Sequence, residues 1–209
     1  MPDFNYEKSC PSKGLIFGID EAGRGPWCGP VVAACVCWPN FQIDSKLANA
    51  INDSKKLSAT KRELLFPQIM NSGAYIGIGQ ASAEEIDQLN ILQATFLAMR
   101  RSLQDAEQKG HRADFALIDG NRLPKWEIPC QCLIKGDSLS LSIAAASIIA
   151  KVTRDHIMQE LSKEYPQYGW HKNAGYGTKD HINALNKYGI TPHHRKTYKP
   201  IANLLNNQK

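Results

Sequence analysis

The sequence predicts one α/β domain within its 209 residues, and three observations predict it. Five short apolar segments have the length and residue types of strands. Helical stretches lie between and after them, the arrangement that builds α/β proteins. A composition of 43% hydrophobic and 22% charged residues is that of a chain able to bury a core.

The elements follow in order. Residues 1–13 are polar with two prolines and read as a loose lead-in. Leu15-Ile16-Phe17-Gly18-Ile19 is a buried strand that runs into turn chemistry at Asp20-Glu21-Ala22-Gly23-Arg24-Gly25-Pro26. Val31 to Trp38 is a second apolar run, rich in β-branched residues and closed by Pro39-Asn40. Residues 41–57 read as loop. Ser58 caps a helix through about Met70, and Ala74 to Gln80 is a third strand. Ser82 caps one long helix, with Glu84 and Glu85 in its first turn and Lys109-Gly110 ending it. Phe115-Ala116-Leu117-Ile118 and Cys130 to Ile134 are the fourth and fifth strands. A second long helix runs from about Ser138 to Leu161, and its alanine-rich middle suits close packing on a sheet. The remainder holds a Gly-Tyr-Gly turn and a short helix near residues 179–188. There is no internal repeat and no low-complexity tract.

The net charge of +5 is compatible with a polyanionic partner. From Trp170 onward there are seven Lys or Arg against one acid, Asp180, together with four of the six histidines. The six cysteines show no C-x-x-C spacing and sit in apolar company, so they read as free thiols rather than zinc ligands. Cys35 and Cys37 would share one strand face, as would Cys130 and Cys132. No basic-then-apolar leader and no apolar run of membrane-spanning length is visible, which points to the cytoplasm.

The chemistry is concentrated at strand ends. The first strand ends in Asp20 and Glu21, the fourth in Asp119, and the fifth in Asp137. If these strands are neighbours, four carboxylates converge at one edge of the sheet, where α/β proteins tend to place sites. Such a cluster repels itself unless cations sit within it. With no His or Cys among the ligands, hard ions such as Mg²⁺ or Mn²⁺ fit. Two of them roughly 3.5–4 Å apart can activate a water and stabilise the leaving oxygen in phosphodiester cleavage. Each residue also has a plainer reading: Asp119-Gly120 as a turn, Asp137 as a helix N-cap, Asp20-Glu21 as a solvated loop. Asp155 follows Lys151 by four residues and reads as an ion pair on a helix. Gly23-Arg24-Gly25 fails as a dinucleotide fingerprint, because Cys28 holds the third glycine position and a strand follows. It can instead bring backbone N–H groups close to a phosphate or sugar hydroxyl.

Taken together, these motifs resemble those of the ribonuclease HII family. The likeness runs through Gly18 to Pro26 and Gly29 to Ala34, Asp53-Ser54-Lys55-Lys56-Leu57-Ser58, Ile118-Asp119-Gly120 and Lys135-Gly136-Asp137. It continues through Ala144 to Asp155, Gly175-Tyr176-Gly177-Thr178 and Thr191-Pro192-His193-His194-Arg195, covering about residues 15–201 in the family's order. The resemblance implies a ribonuclease H-like fold: a mixed five-stranded sheet flanked by helices, with a catalytic domain over 14–165 and a basic helical region over 166–209. It implies that Asp20, Glu21, Asp119 and Asp137 hold two divalent ions, Mg²⁺ or Mn²⁺. It implies that Gly23, Arg24 and Gly25 read the ribose 2′-hydroxyl, and that Tyr176 stacks on the neighbouring deoxyribose. The 2′-hydroxyl is the one chemical handle that separates RNA from DNA at a single nucleotide. Ser54 and Lys55 match a motif near the substrate backbone, and Asp155 a supporting position. The implied activity is cleavage of RNA–DNA hybrids, and of DNA 5′ of an embedded ribonucleotide, by a monomer leaving 5′-phosphate and 3′-hydroxyl ends.

Two departures from the family pattern stand out: Trp27-Cys28 where small or aliphatic residues are usual, and Asn173-Ala174 where a Lys is common. Other readings are a DNA-directed nuclease of the same general fold and a non-catalytic hybrid-binding module. The first has no use for a 2′-hydroxyl reader, and the second has no need of four acids. A glycosidase using Asp20 and Glu21 is disfavoured, because neighbours on an extended segment point to opposite faces.

Overall fold

Five strands form one sheet: β1 (Ile16–Ala22), β2 (Val31–Cys37), β3 (Tyr75–Ala81), β4 (Phe115–Asp119) and β5 (Cys130–Leu133). A computed structural model describes residues 1–206, so the last part of the 166–209 region, with Lys209, lies outside the described residues. The spatial order is β3-β2-β1-β4-β5. β2 pairs antiparallel with β1 and β3, while β1, β4 and β5 run parallel, so the sheet is mixed as expected.

β2 is buried along its whole length because both faces are covered. Ala34 and Val36 face α6 (Leu141–Glu164) and α3 (Ala59–Met70), with Ala144, Ile148 and Leu65 in the same core. Val31, Ala33, Cys35 and Cys37 face α5 (Ile91–Gln108), against Ala98, Met99 and Leu103. The alternation places Cys35 and Cys37 on one face, as their spacing predicts. All six cysteines are free thiols.

Four elements differ from the sequence reading. Residues 1–13 are not a loose lead-in: Asn5–Ser9 form α1, and buried Glu7 accepts hydrogen bonds from Ser140 Oγ at 2.6 Å and Ser142 N at 3.0 Å. Residues 41–57 are not all loop. Asp44 caps α2 (Ser45–Ala50) by accepting from the N–H groups of Lys46 and Leu47, and Asp53 caps a 3₁₀ turn over Ser54–Lys56. The helix expected from Ser82 is two. Ser82 and Glu85 close a capping box on α4 (Ala83–Leu89), then Asn90 turns to φ 69° and its side chain caps α5. Asparagine tolerates that left-handed backbone and is also among the best N-caps, so one residue both ends a helix and starts the next. Finally, α6 begins at Leu141, capped by Ser140, and Asp137 is not its cap.

The C-terminal part contains α7 (Trp170–Asn173), α8 (Lys179–Tyr188) and α9 (Lys199–Asn206). Their apolar residues Trp170, Leu185 and Ile201 pack with Tyr168, Met158 of α6 and Cys28, forming a core separate from the sheet. That core fastens the glycine turn after β1 to the chain's last third.

Candidate active site

Parallel pairing builds the site. Ile19 of β1 pairs with Ile118 of β4, so the next residues, Asp20 and Asp119, emerge side by side. β5 ends beside β4, with Asp119 opposite Leu133, and the chain then turns through Lys135 in a left-handed conformation (φ 59°). The Gly136 N–H donates to Asp119 Oδ1 at 2.6 Å, which brings Asp137 round to the other two carboxylates. Ligand oxygens of Asp20, Asp119 and Asp137 lie within 4.8 Å of one another.

Glu21 does not join that trio. As β-strand alternation requires, it leaves β1 on the other side from Asp20, and its Oε1 accepts from Arg24 Nη1 at 3.2 Å. Its carboxylate still borders the cluster, in a cleft of about 310 Å³ lined by Glu21, Arg24, Asp119 and Asn121. Lys55, on the 3₁₀ turn, reaches Asp137 Oδ2 at 3.4 Å. Ser54 beside it is buried, and its N–H donates to Ser147 Oγ on α6 at 3.2 Å. Asp155 is where its spacing predicts, 2.7 Å from Lys151 Nζ.

The electrostatics are those of a bare anionic cluster. Burial, then the charges of Glu21 and Asp119, push Asp20 well above the ordinary carboxylate range. Burial raises Glu21 against the opposing pull of Arg24, and burial with Asp119 and Asp53 raises Asp137. Burial works against the Lys55 charge, but Asp20, Asp137 and Asp53 outweigh it and hold the ammonium above its usual value. Arg24, Lys55 and Lys56 together do not balance Asp20, Glu21, Asp53, Asp119 and Asp137. Oxygen-only donors, close-set and short of positive charge, fit a hard divalent cation.

The glycine turn is held from beneath by two buried arginines with no carboxylate partner among the described residues. Arg195 donates to the carbonyls of Gly23 (2.6 Å), Arg24 (3.0 Å) and Gly29 (2.9 Å). Arg154 donates to the carbonyls of Pro30, Cys28 and Ala174, each at 3.0 Å. Burial, then the other guanidinium, lowers Arg154 to about 10. Gly23 has φ 96°, and a methyl there would overlap the Arg154 side chain, so only glycine fits. Gly25 differs: a methyl there would meet only Tyr176 Cε1, at an ordinary 3.4 Å. Tyr176 is half exposed over that position.

The two sequence departures have structural roles. Trp27 lays its ring against Gly177, where any side chain would overlap it, and its backbone N–H donates to Gly175 O at 2.9 Å. Asn173 Oδ1 accepts from Gly175 N at 2.8 Å, and its Nδ2 donates to Tyr168 O, fixing the turn that carries Tyr176. Sequence reasoning gave no role to Asp53, Arg154 or Arg195. Arg195, with no acid near it in sequence, was the available signal, whereas Arg154 stands next to Asp155 and gave none.

A mixed five-stranded sheet with carboxylates at adjoining ends of β1, β4 and the turn after β5 defines a protein of ribonuclease H-like fold. The sequence profile of ribonuclease HII matches residues 17–201. Ribonuclease HII of Wolbachia sp. subsp. Brugia malayi (strain TRS) is 52% identical over 202 residues, 97% of this chain and 95% of that protein. The crystal structure of ribonuclease H2 from Pyrococcus horikoshii OT3 has a TM-score of 0.67 at 24% identity, covering 92% of this chain and 98% of that one. Bst-RNase HIII in complex with Mn²⁺ has a TM-score of 0.73 at 18% identity, covering 95% of this chain and 71% of that one, a likeness of fold. The chain belongs to the ribonuclease HII family and is a ribonuclease H, an endoribonuclease.

Proposed function

We propose that this enzyme hydrolyses the RNA strand of RNA–DNA hybrids and cuts DNA 5′ of a single embedded ribonucleotide. The observation that carries this reading is the adjacency of two features. A trio of acidic oxygens within 4.8 Å lies beside a glycine turn whose carbonyls are tied inward, on one face of the molecule. Carbonyls drawn inward leave N–H groups of Gly23, Arg24 and Gly25 free to face a sugar hydroxyl.

In the proposed mechanism Asp20, Asp119 and Asp137, with Glu21 at the margin, would hold two divalent ions, Mg²⁺ or Mn²⁺. When bound, the ions supply positive charge for the attacking and leaving oxygens. Water adds to phosphorus, the P–O3′ bond breaks, and the 3′-oxygen takes up a proton, leaving 5′-phosphate and 3′-hydroxyl ends. Gly23 and Gly25 admit the ribose against backbone. Arg24 pairs with a phosphate, and Tyr176 stacks on the next deoxyribose. Lys55 faces the substrate backbone from the turn that Ser54 anchors. Residues 14–165 carry the acids and 166–209 supply Tyr176 and basic charge, in a cytoplasmic monomer whose free thiols suit a reducing compartment.

The test is a labelled DNA duplex containing one ribonucleotide, incubated with Mg²⁺, Mn²⁺ or EDTA beside an all-DNA control. A metal-dependent cut on the 5′ side of the ribonucleotide, with the control intact, is expected. Equal cutting of the control would favour a DNA nuclease, and no cutting with either metal would favour a binding module.

A further inference from the structure

Two histidines that the mechanism does not use lie beneath the Tyr176 turn. His181 and His194 are fully buried, and their Nε2 atoms are 3.0 Å apart. One of those nitrogens must carry a proton and the other a lone pair. Thr191 decides which. Its backbone N–H donates to His194 Nδ1 at 2.9 Å, so that nitrogen is unprotonated and His194 carries its proton on Nε2. His194 Nε2–H donates to His181 Nε2, which leaves His181 protonated on Nδ1. That Nδ1–H donates to the Tyr176 carbonyl at 2.9 Å. The Trp170 indole N–H also points at His181 Nε2, at 3.3 Å, as an acceptor there requires. The chain of donors therefore runs one way, from Thr191 to Tyr176.

The surroundings keep the pair neutral. Tyr168, Trp170 and Trp27 pack around the two rings, His193 is close by, and no carboxylate is among these neighbours. Burial, then His181, lowers His194 to about 4, and burial lowers His181.

The turn at the end of this chain needs a hold. Ala174 sits at φ 48° and Gly175 at φ 82°, a conformation that a non-glycine residue keeps only when its surroundings impose it. Tyr176 stands half exposed beside Gly25, so a shift of this turn moves the tyrosine ring relative to the glycine turn. We infer that His181 and His194 are positioning residues: their one-way hydrogen-bond chain sets the Tyr176 ring against the glycine turn and so determines selectivity for the ribonucleotide–deoxyribonucleotide junction. This inference rests on the reading of Tyr176 as a side chain that stacks on substrate.

Two amide variants separate it from a plain packing role. His181→Asn keeps an N–H donor near the Nδ1 position. His181→Gln carries its amide toward the Nε2 position and leaves the Tyr176 carbonyl without that donor. On a duplex with one ribonucleotide, His181→Gln is expected to lower kcat/KM about tenfold, the scale of one hydrogen bond, with His181→Asn within about threefold of wild type. Both variants should cut a long RNA–DNA hybrid near the wild-type rate. In a Tyr176→Ala background His181→Gln should cost nothing further, because the two act as a unit. Should His181→Gln not fold, His194→Asn replaces it, since it removes the donor to His181 and should give the same pattern.

Three results would overturn the inference. They are wild-type selectivity in the Gln variant, equal losses in Asn and Gln or on both substrates, and a Gln loss that multiplies in full with Tyr176→Ala. If Tyr176→Ala alone cuts the single-ribonucleotide duplex normally, the stacking reading falls and takes the inference with it. An impaired Tyr176→Ala beside an unimpaired His181→Gln removes the histidines only.

Discussion

Gly25→Ala separates what the fold requires from what a ligand requires. A Cβ at Gly25 has only the Tyr176 ring edge within reach, at 3.4 Å, and the residue is not among the glycines of positive φ. Stability should therefore change by no more than about 0.5 kcal/mol, the range of surface substitutions without a special feature. The functional cost is set by a different distance. If the ribose lies directly on this backbone, a methyl group displaces it by about 1 Å or more, and misplacement on that scale lowers rates about 100-fold. Gly23→Ala is the control. Its Cβ would overlap Arg154 and its φ of 96° is strained for alanine, so it should lose roughly 1–3 kcal/mol as well as activity. The assay is kcat/KM on the single-ribonucleotide duplex, with a thermal melt of each variant. Wild-type kcat/KM in a folded Gly25→Ala would refute the idea that substrate approaches this backbone. A melt as low as that of Gly23→Ala would show that the fold, not the ligand, demands glycine at 25.

Three further outcomes are expected. Asp119→Asn should lose at least about 100-fold in cleavage while retaining hybrid binding, read by turnover and by gel shift; normal turnover would remove Asp119 from the site. Tyr176→Ala should melt normally, because the side chain is half exposed, yet cut the single-ribonucleotide duplex about tenfold more slowly; an unchanged rate would end the stacking role. His194, lowered to about 4 from 6.5, gives a stability term fully present above pH 6.5 and lost as pH falls toward 4, because the unfolded chain takes the proton first. It amounts to about 3 kcal/mol, and His194→Gln should flatten the dependence of stability on pH in that window, read by urea denaturation at each pH.

The legible parts of the molecule were those fixed by local pattern. Five strands, the Ser58 and Ser82 caps and the burial of Ala144 to Ala150 follow from residue type and period, and they stand where expected. The Lys151–Asp155 pair follows from helical spacing. The acids at strand ends were visible, but their convergence depends on β1, β4 and β5 being parallel neighbours, which no local signal states. Missed elements were short and held by distant partners. Helix α1 is tied through Glu7 to Ser140 and Ser142, more than 130 positions away, and polar residues 1–13 give no hint of that. Asn90 looks like one polar residue inside a helix until its capping bonds are seen. Arg154 and Arg195 look like surface charge, yet they are buried because backbone carbonyls, which carry no sequence signature, satisfy them.

A site that collects anions should weaken the fold that carries it, and Asp20 is where this can be measured. In the metal-free protein, burial and the charges of Glu21 and Asp119 raise its pKa, against smaller opposing effects of the Glu21 N–H and then Lys55. A carboxyl raised on folding contributes stability below its unfolded value, and that contribution is lost as pH rises through the folded value. At neutral pH the ionised group is thus a net cost. Asp20→Asn removes the charge and keeps an acceptor for the Glu21 N–H, which now lies 2.7 Å from Oδ1. The variant should be more stable than wild type in EDTA by about 1–2 kcal/mol, or roughly 2–8 °C in Tm, while losing cleavage. Mg²⁺ or Mn²⁺ should raise the Tm of the wild type, because a ligand bound only to the folded state stabilises it, and should raise that of Asp20→Asn far less. A fall in Tm for Asp20→Asn in EDTA, or an equal metal response in both proteins, would show that Asp20 is held by favourable partners rather than by a cation.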